Sequence, residues 1–240
     1  MRKIFLIFLF ITLFSSAFIS TKKNTQDERF ITYKVDLNEN EVKFYWQDER
    51  NNNFKSIENL KTWLENKNQE LVFATNGGMY QKDGTPQGLF IENFIEKKKL
   101  DIGEGNGNFY LKPNGIFYIT NDKKAIICKT ENFKIDKKIK YATQSGPMLV
   151  IENKIHKAFK KESQNMNIRN GVGVLENGEV IFVMSKNKIN FYDFASYFKV
   201  IGCKNALYLD GFVSRTFLPE KKWIQTDGNF GVIIGITKNK

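Results

Sequence analysis

Hydrophobic and polar positions alternate in short stretches along this chain, and turn residues separate the stretches. Val42, Phe44 and Trp46 interleave with Glu41, Lys43 and Tyr45, a period-two pattern that predicts a strand with one buried face. Ser56 precedes Ile57, Leu60, Trp63 and Leu64, which fall on one helical face, so a helix capped by Ser56 is expected there. Leu71-Val72-Phe73-Ala74-Thr75 reads as a buried strand running into Asn76-Gly77-Gly78, and Gly88 to Ile91 as another. Two hairpins are predicted. In the first, Phe109-Tyr110-Leu111 and Ile116 to Ile119 flank the turn Lys112-Pro113-Asn114-Gly115; in the second, Gly171 to Leu175 and Glu179 to Met184 flank Glu176-Asn177-Gly178. Phe191, Phe194, Ala195 and Phe198 follow helical spacing, and Leu207-Tyr208-Leu209 and Gly231 to Ile236 are late strands. Two hairpins and only two helices predict an α+β fold: a single domain of mixed, mainly antiparallel sheet with a few flanking helices, not a βαβ repeat.

The first residues follow different rules. Met1-Arg2-Lys3, the apolar run Ile4 to Phe14 and Ser15-Ser16-Ala17 have the charged start, hydrophobic middle and small-residue end of a secretory signal. Cleavage is expected after Ala17, or as far along as Ser20. The apolar run falls short of the ~20 residues that span a bilayer, so no stable membrane insertion is expected after cleavage. The expected division is a signal at 1–17, a flexible start at 18–30 and one domain at 31–238. Export to the periplasm or the extracellular space follows. An oxidising compartment permits a disulfide, but Cys128 and Cys203 both lie in apolar runs and are expected to be two buried thiols.

Composition adds one question. The chain has 240 residues, with 37 Lys+Arg against 26 Asp+Glu, a formal net charge of +11 that drops by two to +9 once Arg2 and Lys3 are removed. At 41% hydrophobic and 14% aromatic it can bury a real core, which rules out a disordered or collagen-like chain. The lysines are dispersed, and no basic run is interleaved with aromatics, so nucleic acid is not an expected partner.

Four clusters of small or chargeable residues follow apolar strands, where they can line one cleft. They are Thr75-Asn76-Gly77-Gly78-Met79-Tyr80, Thr143-Gln144-Ser145-Gly146-Pro147, Asn167-Ile168-Arg169-Asn170-Gly171 and Leu209-Asp210-Gly211-Phe212-Val213-Ser214, and the motifs in them run over Asn76-Gly77-Gly78-Met79-Tyr80, Ser145-Gly146-Pro147-Met148-Leu149, Arg169-Asn170-Gly171-Val172-Gly173 and Leu209 to Ser214. Each alone is an ordinary turn. Together, in this order and spacing, they resemble the phosphodiester glycosidase family, as does Ile189 to Phe194 at the start of the second helix. The resemblance runs from about Ile31 to Ile236. It departs at Phe212, where family members usually place Gly or Asn, so Phe212 bears on substrate identity.

The resemblance implies a secreted hydrolase that cleaves the glycosidic bond of a sugar-1-phosphodiester, releasing sugar and a phosphomonoester. Asp210 would be the essential carboxylate, acting as base, nucleophile or stabiliser of an oxocarbenium-like transition state. Arg169 would be the cation on the departing phosphate. Asn76, Ser145 and Ser214 would bind sugar hydroxyls or phosphate, the amides of Gly77, Gly78, Gly146 and Gly211 would approach the same oxygens, and Asp193 would be a second carboxylate or a helix-start acid. Glu92 is expected at a turn or rim. His156, the one histidine, lacks the Gly-x-Ser-x-Gly elbow of a hydrolase triad and is expected at the surface or a hairpin end. No cofactor is expected and no metal site is indicated, although carboxylate-bound Ca2+ stays open. The alternative is a non-catalytic module binding anionic glycopolymers or phosphorylated glycans in the same cleft.

Overall fold

A computed structural model of the protein describes residues 27–210 and 213–240. The expected signal at 1–17, most of the flexible start, Gly211 and Phe212 lie outside the described residues. Among the described residues, no helix is long and apolar enough to cross a membrane.

Three sheets carry the fold. The first has six strands in the order β1 (Phe30–Val35), β12 (Val180–Ser185), β11 (Asn170–Leu175), β13 (Cys203–Asp210), β9 (Met148–Ile151) and β10 (Lys154–Ile155). The second orders β15 (Trp223–Ile224), β14 (Thr216–Leu218), β3 (Gln69–Asn76), β16 (Ile233–Asn239) and β2 (Val42–Tyr45). The third orders β5 (Ile95–Lys98), β4 (Phe90–Glu92), β8 (Ile139–Ser145), β6 (Gly115–Thr120) and β7 (Ala125–Lys129). Their strand pairings are antiparallel. With two α-helices, α1 (Ile57–Glu65) and α2 (Phe191–Val200), this is the α+β architecture expected from the sequence.

The sheets meet in one apolar centre where Phe44, Phe73, Phe117, Phe182, Leu207, Leu209 and Ile234 pack together. Alternation along β13 puts Leu207 and Leu209 in that centre. Ala206 and Tyr208 turn the other way, under Phe191, Phe194 and Phe198 of α2. Helix α1 covers the second sheet through Ile57, Leu60 and Leu64. Its start is capped as expected, Ser56 Oγ accepting from the Asn59 amide at 3.2 Å. Tyr45, placed on a polar face by the alternation in its strand, is buried against α1, because β2 belongs to a sheet covered on both sides.

The second expected hairpin forms as β11 and β12, with Gly178 at φ +87° in its turn. The first does not. Asn108–Tyr110 forms a short 3-10 turn, and β6 pairs instead with β7 and β8. Side-chain chemistry decides this: Asn114 Nδ2 donates to the Phe109 carbonyl at 3.0 Å and ties the segment back on itself, while Phe109 is buried. Both cysteines are free thiols, Cys203 buried and Cys128 half-buried. Burial pushes both thiols up, Cys128 to about 11 and Cys203 to about 12.

Candidate active site

The ends of β3, β11 and β13 meet in a knot of buried polar side chains. Asn76 closes β3, Asn170 opens β11 and Asp210 ends β13. Asn76 Nδ2 donates to Asp210 Oδ2 at 3.1 Å. Asn170 Nδ2 donates to the Asn76 main-chain carbonyl at 2.8 Å, to Asn76 Oδ1 at 3.1 Å and to Thr75 Oγ1 at 3.0 Å. In the other direction Asn170 Oδ1 accepts from the Asp210 amide at 3.1 Å, and Asn76 Oδ1 accepts from the Arg215 amide at 2.9 Å. Ser214 donates to the Ile168 carbonyl at 3.2 Å and reaches Asn170 Oδ1 at 3.5 Å. Such a network fixes the direction of each amide, because every flipped group would set donor against donor.

A bulge aims the carboxylate. Gly171 of β11 lies opposite Tyr208, but the next residue, Asn170, lies opposite Asp210, so Leu209 is the extra residue of β13. Strict alternation would turn Asp210 to the α2 side with Tyr208, and the bulge brings it to Asn76 on the neighbouring sheet.

Asp210 is 5% exposed, and that small exposure opens into a cleft of about 590 Å3. Five amide side chains line the cleft: Gln81, Gln87, Asn108, Asn165 and Asn167. Met79 and Tyr80 supply apolar wall, Lys82 the cation and Asp210 the carboxylate of this lining. Burial, with the nearby Asp210 charge adding to it, pushes the Tyr80 phenol up to about 12. Amides on the walls suit a ligand rich in hydroxyls, since each offers both a donor and an acceptor.

The sequence-derived candidates divide here. Asn76, Asp210 and Ser214 come together in the knot. Arg169, expected on a phosphate, is 0% exposed and points away from it. Its Nε donates to the Ile189 carbonyl at 2.8 Å, NH1 to Tyr208 Oη at 3.0 Å, and NH2 to the main-chain carbonyl and Oδ1 of Asn165 at 2.8 and 3.1 Å. Its guanidinium carbon lies 3.6 Å from the centre of the Phe191 ring. Burial lowers its proton affinity from the usual value, against the opposing influence of Tyr208. Neighbours on an extended chain face opposite ways, so Asn170 enters the knot while Arg169 enters the aromatic layer under α2.

Ser145 is buried and donates to the Leu209 carbonyl at 2.9 Å, which steadies the bulge from below. The Gly77 amide is already engaged by the Val232 carbonyl at 2.8 Å. Gly78 and Gly146 are packing positions: a Cβ would stand 2.6 Å from Thr143 Oγ1 at the first and 2.7 Å from Asn114 Cβ at the second. Asp193 does not line the cleft. It sits in the first turn of α2, its amide donating to Asn190 Oδ1 at 2.8 Å and its Oδ2 accepting from Asn190 Nδ2 at 2.9 Å. His156 follows β10 at a hairpin end, but is buried against Phe159, where its Nε2 meets the Lys112 carbonyl and its Nδ1 accepts from the Ala158 amide, so both ring nitrogens are satisfied. Glu92 is half-buried at the end of β4, and burial pushes its carboxyl up to about 7. No three His, Cys, Asp or Glu side chains among the described residues gather as a metal site.

Asn170 stands inside the third cluster, but residue type and spacing give it no role there, and only its contacts reveal it as the centre of the knot. Asn167, which opens the third cluster, does line the cleft, whereas Asn165 lies ahead of that cluster and nothing local marks it as a cleft wall.

Comparison with known proteins gives a consistent result. The phosphodiester glycosidase family profile matches residues 69–233. The uncharacterized protein YigE of Escherichia coli (strain K12) is 34% identical over 219 residues, which is 91% of this chain and 85% of that one. Among solved structures, the zebrafish N-acetylglucosamine-1-phosphodiester alpha-N-acetylglucosaminidase catalytic domain, auto-inhibited by its pro-peptide, superposes with a TM-score of 0.59 at 14% identity. That match covers 89% of this chain and 85% of that one. A hypothetical protein from Synechocystis gives 0.56 at 12%, over 87% of this chain and 59% of its own. At such identities the two structures speak for the fold.

Proposed function

The chain belongs to the phosphodiester glycosidase family, and from that premise we propose that it is an exported hydrolase. It cleaves the bond between the anomeric carbon of a sugar and a phosphodiester, releasing free sugar and a phosphomonoester in the periplasm or outside the cell. The zebrafish neighbour is named for an activity on this class of bond.

The observation that carries the proposal is the single carboxylate at the base of an amide-lined cleft. A sugar leaving an ordinary alcohol needs a strong general acid, and glycosidases usually supply a second carboxyl for it. A phosphomonoester has its second pKa near about 6 and departs with far less help. One carboxylate, Asp210, together with the rim cation Lys82, therefore matches a phosphate leaving group better than an alcohol. Asp210 stabilises the positive charge that develops at the anomeric carbon or activates the attacking water, and Asn76 and Asn170 hold it in place.

Asp210→Asn tests this directly. Turnover of a sugar-1-phosphodiester should fall by about 10^3-fold or more while the circular dichroism spectrum and Tm are kept, given that such electrostatic groups contribute about 10^2 to 10^3 each and a nucleophile more. Full activity would end the assignment of Asp210. Salt-sensitive binding of an anionic glycan with no product, even at high protein concentration, would favour the binding-module alternative.

A further inference from the structure

Asn165 lines the cleft but is gripped from behind. Its Oδ1 accepts from Arg169 NH2 at 3.1 Å and from Asn167 Nδ2 at 2.8 Å, and its main-chain carbonyl accepts from Arg169 NH2 at 2.8 Å. Two donors converging on Oδ1 determine which end of the amide is oxygen. The Nδ2 group is left as a donor, with no acceptor among the described residues, on an exposed side chain of the cleft wall.

Arg169 is an unusual partner for that amide. It is fully buried, and its four hydrogen bonds go to two carbonyls, one amide oxygen and one phenol, none of which carries negative charge. A buried cation without an ionic partner is costly, and its field is poorly screened in such surroundings. The cation is also packed on one face. Its guanidinium stacks on Phe191, Phe191 stacks on Phe159 with centroids 4.8 Å apart, and Phe159 stacks on His156 at the same 4.8 Å. That column anchors the 156–167 segment to α2, and a hydrogen bond from Asn190 Nδ2 to the Lys161 carbonyl at 3.1 Å adds to it. A guanidinium donating to the oxygen of an amide draws electron density from its nitrogen, which strengthens the NH2 as a donor.

We propose that Asn165 is a phosphate-binding residue of the cleft, its NH2 donating to a phosphate oxygen, and that Arg169 is the positioning residue that orients and polarises it. The charge of Arg169 thus reaches the anion through one amide instead of by contact. Lys82 is the cation in the same lining, available to a second phosphate oxygen. This inference rests on the proposed function, because it assigns the leaving phosphate to the Asn165 wall.

The test uses inorganic phosphate as probe, titrated into the whole exported chain by calorimetry or by NMR. Asn165→Ala should weaken phosphate binding by about tenfold or more, the size of one hydrogen bond to a charged group. Asn165→Asp separates this from a structural role. It gives buried Arg169 a carboxylate partner, so Tm should hold or rise, while phosphate binding is lost to repulsion. A merely structural Asn165 would leave affinity following Tm in both variants. Unchanged phosphate affinity in Asn165→Ala, or no phosphate binding by the wild type, overturns the inference. Asn165-dependent phosphate binding by a wild type that hydrolyses no sugar-1-phosphodiester would support it and overturn the proposed function instead.

Discussion

Arg169 and Asn170 are adjacent in one motif and lead opposite lives. Asn170 enters a polar knot that touches three strand ends and holds a carboxylate at a cleft. Arg169 enters an aromatic layer, stacked on Phe191 and bonded to Tyr208. Both are essentially inaccessible to solvent, so burial does not separate them. The chemistry of their partners does. Asn170 is tied to the knot that holds Asp210 at the cleft, whereas Arg169 is tied to groups that face the core and to one amide, Asn165, on the cleft wall. A motif identifies a stretch of chain, and the two-residue period of an extended backbone decides which of its side chains can reach a substrate.

Substitutions on the two sides should therefore fail in different ways. The largest effect on activity after Asp210→Asn is expected from Asn170→Ala. It removes the donor that fixes Asn76 and the acceptor of the Asp210 amide, and misplacing a catalytic group by about 1 Å costs about 10^2-fold. Steady-state kinetics should show the loss in kcat, beside a smaller stability cost of about 2 kcal/mol. Arg169→Met should reverse the balance. It takes the Arg169 donor from the Tyr208 hydroxyl and the Asn165 carbonyl and leaves the Ile189 carbonyl with the Asn167 amide alone, which costs about 3 kcal/mol in urea unfolding, and the folded fraction should show a raised KM more than a lowered kcat. Equal kinetic signatures for the two variants would erase the contrast drawn between them.

The smallest expected effect is a control in a different sheet, at the end of β4. Glu92 titrates near 7 because burial disfavours its charged form, against about 4.5 when free. The folded chain thus holds a proton that the unfolded chain has released, so stability should fall as pH rises from about 4.5 to about 7 and then level off. Glu92→Gln should flatten that decline and raise Tm at pH 8 by about 2–4 °C, corresponding to about 1 kcal/mol in a chain of this size. Its kcat should not move. A pH-stability curve unchanged by the substitution would place the titration elsewhere.

Much of the fold is written in local pattern. The existence of β2, the Ser56 cap, the Phe191 to Phe198 helical face and the β11–β12 hairpin each depend on residues within a few positions of one another, so sequence alone determined them. The hairpin predicted around Pro113 failed because Asn114 had a second option, the Phe109 carbonyl, which turn statistics do not weigh. The four motifs that raised Asn76 and Asp210 as candidates were also legible. What tertiary structure decided was direction. Asp210 reaches Asn76 because a bulge at Leu209 changes the side to which β13 presents its last residue, and Asn76 arrives from a strand of a different sheet, 134 positions away along the chain. Arg169 is withdrawn from the cleft by an aromatic layer built from α2 and β13. Residue type and spacing name the groups that can do chemistry, while register, bulges and packing between distant segments decide which of them share a surface with the substrate.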